Sequence, residues 1–184
     1  MAILSVNKLL KSELEVLDKQ LKTRSRTEVE MINIMSDHII SSGGKRLRPI
    51  TLLLSAYSVN SQLESTIIDS SVVVEFIHAA TLLHDDVVDM SDIRHNIDTA
   101  HTIWGNKGAV LVGDFLYSRA FEIIVEINSP LVYETLAQTT NIIAQGEVMQ
   151  LMNIGNIDIS ENLYMDIIFR KTSILFQASM KIGA

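Results

Sequence analysis

Residues 63–90 are apolar on almost every side yet end in three carboxylates, and few folds tolerate that combination. At helical spacing, Val72, Phe76, Ala79, Leu83 and Val87 form one apolar stripe and Val73, Ile77, Ala80 and Val88 a second. A helix apolar over most of its circumference is buried. The remaining stripe (Ser71, Glu75, His78, Leu82, Asp85, Asp86 and Asp89) is mostly polar, so in a buried helix it must line an internal cleft. Asp85 and Asp89 stack one turn apart with Asp86 beside them. Three anions on a buried face are costly unless cations accompany them. An all-oxygen donor set of this kind suits Mg²⁺ bridging to phosphate. A solvated acidic helix end would carry the same residues, although Asp disfavours helix interiors.

The rest of the chain also reads as helix. Leu9, Leu10, Leu14, Leu17 and Leu21 give residues 2–22 a helical period, and 27–41 follow suit until Gly43-Gly44 stops them. Pro49 opens a helix over 49–59 as a first-turn proline. Ser61 and Glu64 have capping-box spacing ahead of the 63–90 helix. Residues 91–104 are polar and irregular, the mark of a functional loop. Helices are expected over 107–127, over 130–153 behind Ser129-Pro130, and over 161–182 behind Ser160. No strand pattern competes. The expectation is a single all-α domain over residues 1–184.

Composition narrows the function. The net charge of −7 argues against a nucleic-acid partner. The absence of cysteine removes disulfides, thiolate metal sites and cysteine nucleophiles. Residues 1–21 lack a continuous apolar core, so no signal peptide is expected. The most apolar run, 66–83, is interrupted by Asp69, Glu75 and His78, so a buried helix is expected rather than a transmembrane segment. These readings point to a soluble cytoplasmic protein.

A second constellation is Gly43-Gly44-Lys45-Arg46-Leu47-Arg48-Pro49. Two glycines allow close backbone approach to a ligand, and three cations precede a helix start. That arrangement suits a phosphate or diphosphate, although a surface loop with scattered cations would look the same. Arg94 and His95 follow the aspartates in the irregular loop, and Lys171-Thr172 lies on the last helix.

Taken in order, GGKRLRP, EFIHAATLLH, DDVVD, GDFLYSRAF, AQGEVMQL and KTSILF resemble trans-isoprenyl (polyprenyl) diphosphate synthases, long-chain members especially. The resemblance runs from about residue 27 to the C-terminus. It implies the isoprenoid synthase-type helical bundle around a deep cavity. By resemblance Asp85 and Asp89 hold Mg²⁺, with Asp86 supporting. Arg94, Lys171 and Thr172 contact the diphosphate of a farnesyl-like allylic substrate. Lys45, Arg48, His78 and His95 serve isopentenyl diphosphate. The implied reaction is head-to-tail addition of isopentenyl units to give an octaprenyl-like chain, as in a quinone side chain. Ala80 and Thr81 are small where a bulky aromatic closes the pocket in short-chain members, which implies a longer product.

Three departures from the family pattern stand out. A basic pair followed by Gly is expected where the sequence has Arg94-His95-Asn96, and His95 is mostly neutral at pH 7. Asp98 replaces a neutral residue. The family's second aspartate-rich motif has no counterpart within the 184 residues. The chain therefore reads as the N-terminal portion of a synthase, inactive or impaired alone, working as a homodimer or with a complementing C-terminal half. Competing readings are a terpene cyclase, a metal-dependent phosphohydrolase built on His84-Asp85, and a non-catalytic helical subunit partnering a complete synthase. GGKRLRP argues against the cyclase, which has no need of isopentenyl diphosphate.

Overall fold

The computed structural model describes residues 6, 8–42, 44–60 and 63–184. Its elements are α1 (Lys11–Arg24), α2 (Glu30–Ser41), α3 (Leu47–Val59), α4 (Ser65–Val88), β1 (Ile93–Arg94), β2 (Ile97–Asp98), α5 (Ala100–Ile127), α6 (Pro130–Met152) and α7 (Glu161–Ile168). A π-helical turn, Phe169–Ser173, then leads into α8 (Ile174–Gly183). The all-α expectation holds apart from one antiparallel hairpin, in which Ile93 faces Asp98 and Arg94 faces Ile97.

The apolar segment becomes the central helix. α4 is long and apolar enough to cross a bilayer by composition. Here it packs along α5 and also touches α1, α2, α3 and α8. Phe76, Ile77 and Leu83 are fully buried, together with Leu52 of α3 and Leu116 of α5. A smaller apolar cluster of Leu10, Ile50 and Leu53 joins the start of α1 to α3. Burial of this scale, at about 25 cal/mol per Å² of apolar surface, is what offsets chain entropy in such a bundle.

Several boundaries differ from expectation, each for a local reason. The first helix runs on to Arg24, with Val6, Lys8 and Leu9 also helical and residues 1–5 and 7 outside the described set. α3 starts at Leu47, two residues before Pro49. That still places the proline in the first turn, where amide hydrogens have no helical partner. The proposed capping box involves Ser61, outside the described residues, and Glu64 caps α4 without a side-chain bond. Ser160, by contrast, caps α7 by accepting from the Leu163 amide at 3.3 Å. Helicity resumes at Ala100, earlier than expected, because Gly105 (φ 82°, ψ 158°) breaks the run into a short turn and a long helix. Only glycine adopts that conformation without strain.

Candidate active site

α4, α5 and α6 enclose a mostly apolar cleft of about 460 Å³. Ile77 and Thr81 of α4, Tyr117 of α5 and Ile143 of α6 line it, and Asp85 and Glu147 supply two of its acidic groups. Lys171, on the π turn, stands between those two carboxylates. Its Nζ lies 2.7 Å from Glu147 Oε2 and 3.4 Å from Asp85 Oδ2. Burial pushes the Asp85 carboxyl up to about 6. The nearby charges of Glu147 and Asp89 add to this, and Lys171 opposes it. Burial also works against the Lys171 charge. The hydrogen bond donated to Glu147 and the charges of Asp85, Glu147 and Asp89 outweigh it and hold that pKa above the ordinary lysine value.

Asp89 is the C-cap of α4, one turn beyond Asp85, with its carboxylate exposed. Asp85 and Asp89 fit a divalent cation that completes its shell with water and phosphate oxygens, the usual arrangement for Mg²⁺. Among the described residues no three acidic or histidine side chains form a ready-made metal cage. A cation held by two carboxylates and a diphosphate needs none.

Asp86 does not belong to this group. Successive helical residues are about 100° apart, so Asp86 faces away from the cleft. It is 2% exposed and receives Arg94 Nε at 3.0 Å and Arg94 Nη2 at 2.7 Å on Oδ1. The polar stripe expected along α4 thus meets two different surroundings: Asp85 borders the cleft, while Glu75 and His78 meet arginines around the start of α3 and Asp86 meets the hairpin.

Around the start of α3 the basic residues have different duties. Arg46, in the left-handed region at φ 51°, is fully engaged. It reaches Glu75 at 2.6 Å, Asp18 at 3.2 Å and the Ile40 carbonyl at 2.7 Å. Arg48 lies 4.7 Å above the Phe176 ring and donates from Nη1 to His78 Nε2 at 2.9 Å. Arginine cannot accept, so His78 is the neutral acceptor with its proton on Nδ1. Burial, then the charges of Arg48, Arg94, Arg46 and His95, lower the His78 pKa to about 3. Arg48 Nε is buried without a partner among the described residues. Lys45 is exposed and makes no bond among them. His95 and Asn96 form the hairpin tip with φ of 51° and 63°. This is a two-residue turn of the type that needs positive φ at both positions, and Asn tolerates it where Gly was expected.

Sequence reasoning grouped Asp85, Asp89 and Lys171, and Arg48 with His78; the structure pairs Lys171 with Asp85 and Arg48 with His78. It placed Thr172 beside Lys171, and the two line one pocket of about 380 Å³ with Asn153 and Tyr164, next to the cleft, where Thr172 is exposed. It missed Glu147. The signal was present: Thr140, Ile143, Ala144, Glu147, Val148 and Leu151 recur at helical spacing and all face the cleft.

The family model for polyprenyl synthetase matches residues 29–184. The chain belongs to the polyprenyl synthetase family. It is 41% identical over 174 residues to the octaprenyl diphosphate synthase of Escherichia coli K12, covering 95% of this chain and 54% of that protein. It is 39% identical over 158 residues to the all-trans-nonaprenyl-diphosphate synthase (geranyl-diphosphate specific) of Rhodobacter capsulatus, covering 86% and 49%. A polyprenyl synthase of Caulobacter crescentus CB15, solved with calcium and isoprenyl diphosphate, superposes with a TM-score of 0.94 at 40% identity. The match covers 99% of this chain and 55% of that one. The bundle is therefore the isoprenoid synthase fold, and the chain spans about half the length of the polyprenyl synthetases it matches.

Proposed function

We propose that the chain serves head-to-tail prenyl transfer in the cytoplasm. It adds isopentenyl diphosphate to a farnesyl-like allylic diphosphate to build a long all-trans chain, octaprenyl-like, as in quinone side chains. One observation carries this reading. Two charged clusters lie along one buried helix, His78 with Arg48 and, two turns on, Asp85 with Lys171 and Glu147, and an apolar cleft lies against the acidic one. Mg²⁺ held by Asp85 and Asp89 would neutralise charge growing on the departing diphosphate. Lys171 and Arg94 bind that diphosphate, with Thr172 at its edge. Lys45, Arg48 and His78 hold isopentenyl diphosphate, the unused Arg48 Nε offering a donor and His95 lying close enough to contribute charge.

The allylic C–O bond breaks, the isopentenyl double bond forms the new C–C bond, and loss of a proton restores the alkene. Most of the protein's contribution is positioning and exclusion of water by the apolar cleft walls. Thr81 lines that cleft and Ala80 is buried in the core behind it, so neither blocks a lengthening chain.

Asp85 at the cleft and Asp89 one turn beyond it would supply one side of a metal site. The 184 residues alone are expected to give no multiple-turnover elongation of farnesyl diphosphate with isopentenyl diphosphate and Mg²⁺. Co-purified with a polypeptide bearing a second aspartate-rich motif, they are expected to elongate, and Asp85→Asn should stop it. Elongation that survives Asp85→Asn would remove the reading. A second reading, a non-catalytic subunit on a complete synthase, draws on exposed Leu151, Met152 and Phe169 along one edge. Stable co-purification with a full-length synthase, and no dependence of the complex on Asp85, would favour it.

A further inference from the structure

We propose that Phe176 is a positioning residue for Arg48, its ring holding the guanidinium in place while leaving its charge unpaired. This rests on the reading above that Arg48 holds a diphosphate, and it gives a task to a residue on a different helix. Arg48 lies in the first turn of α3 and Phe176 two residues into α8, and the guanidinium carbon sits 4.7 Å from the ring centroid. Neighbouring Arg46 shows the other way to fix a guanidinium, tied to Glu75, Asp18 and the Ile40 carbonyl. Among the described residues no carboxylate makes an ion pair with Arg48. Its Nη1 donates to neutral His78 at 2.9 Å, and its buried Nε has no partner. A carboxylate in contact would neutralise Arg48 and compete with an incoming anion. An aromatic face attracts the cation through its quadrupole and occupies none of the five N–H donors. The charge and the free donors stay available to a diphosphate.

The packing of α8 on α3 does not need this contact. Ser55 Oγ donates to the Met180 carbonyl at 2.7 Å. At Gly183 a Cβ would lie 2.9 Å from Ser55 Cβ and would run into the Leu52 carbonyl, so the two backbones meet closely there. Ile174, Leu175, Ala178 and Ile182 of α8 are buried in the core. With both helices held in this way, what remains free is the torsion of a long arginine side chain. His78 fixes one end of the guanidinium and the Phe176 ring its face. Phe176 itself is only half-buried, so an apolar replacement of similar size leaves the core packed. The π turn and α8 then carry one group for each diphosphate, Lys171 beside Asp85 and Glu147 and Phe176 beneath Arg48.

The test is calorimetric binding of inorganic pyrophosphate to the intact 184-residue chain, first in EDTA and then with Mg²⁺. Phe176→Leu keeps apolar bulk and removes the ring, and it should melt close to the wild type. In EDTA it should weaken pyrophosphate about fivefold, the scale of a partly desolvated cation–π contact. Phe176→Tyr restores a ring face and should bind as the wild type does. Phe176→Leu combined with Arg48→Ala should be no weaker than Arg48→Ala alone. A general distortion of α8 would also displace Lys171, so the additional binding that Mg²⁺ brings should be unchanged in Phe176→Leu. Wild-type affinity in Phe176→Leu, an equal loss in Phe176→Tyr, additive losses in the double variant, or weaker Mg²⁺-dependent binding would overturn the assignment while leaving Arg48 its diphosphate. Arg48→Ala without effect, or a wild-type chain that binds no pyrophosphate in EDTA, would instead overturn the underlying reading of Arg48, and the assignment with it.

Discussion

His78 shows how one side chain records the charge around it. Burial drives its pKa down, and the charges of Arg48, Arg94, Arg46 and His95 add to that, so it falls to about 3. The unfolded chain protonates this imidazole near pH 6.5 and the folded chain does not. Between those values the unfolded state binds more protons, so folding stability is lost as pH falls. At pH 5 the loss attributable to this residue is about 2 kcal/mol. Gln can accept from Arg48 without titrating. Urea unfolding of His78→Gln should therefore lose about 2 kcal/mol less than wild type between pH 7 and pH 5. Parallel pH curves for the two proteins would show that the site does not hold His78 neutral.

Among the elements, the helices with strong periodicity were legible and the joints between them were not. Apolar stripes declare α4, α5 and α6 because they reflect burial, which pattern records directly. The two-residue hairpin was not legible, since Ile93-Arg94 and Ile97-Asp98 are too short to show alternation. The π turn at Phe169–Ser173 was invisible because its residues suit an ordinary helix equally well. It packs closely against a different element. At Gly146 of α6 a Cβ would sit 2.7 Å from Arg170 Cβ and 3.0 Å from the Lys171 amide nitrogen, so the two backbones meet with no room for a side chain. That contact brings Lys171 to Glu147, which is why both members of the pair depend on a glycine one position away. Gly146→Ala should cost about 1–3 kcal/mol through overpacking. It should also weaken Mg²⁺-dependent pyrophosphate binding by displacing Lys171. A melting temperature within a degree of wild type would show that the turn yields without cost.

At the scale of the whole molecule, the side formed by α6, α7 and the π turn carries a run of exposed apolar residues. Val148, Leu151, Met152, Tyr164, Met165 and Phe169 are all exposed there. Apolar residues gathered on one side of a soluble bundle favour association. Sedimentation velocity at micromolar concentration should find the purified chain self-associated. Leu151→Glu with Met152→Lys should shift it toward monomer without lowering its melting temperature, and an unchanged distribution would show that this edge is inert. The division of charge across α4 has a different consequence, one of sequence in time. On the cleft side Asp85, Asp89 and Glu147 confront the single ammonium of Lys171, so a free diphosphate arriving there meets repulsion until a cation precedes it. On the other side Arg48, set against neutral His78, and exposed Lys45 present cations with no such requirement. On the proposed reading the two diphosphates therefore load by different rules, one conditional on metal and one not, and at low Mg²⁺ the unconditional side is expected to fill first.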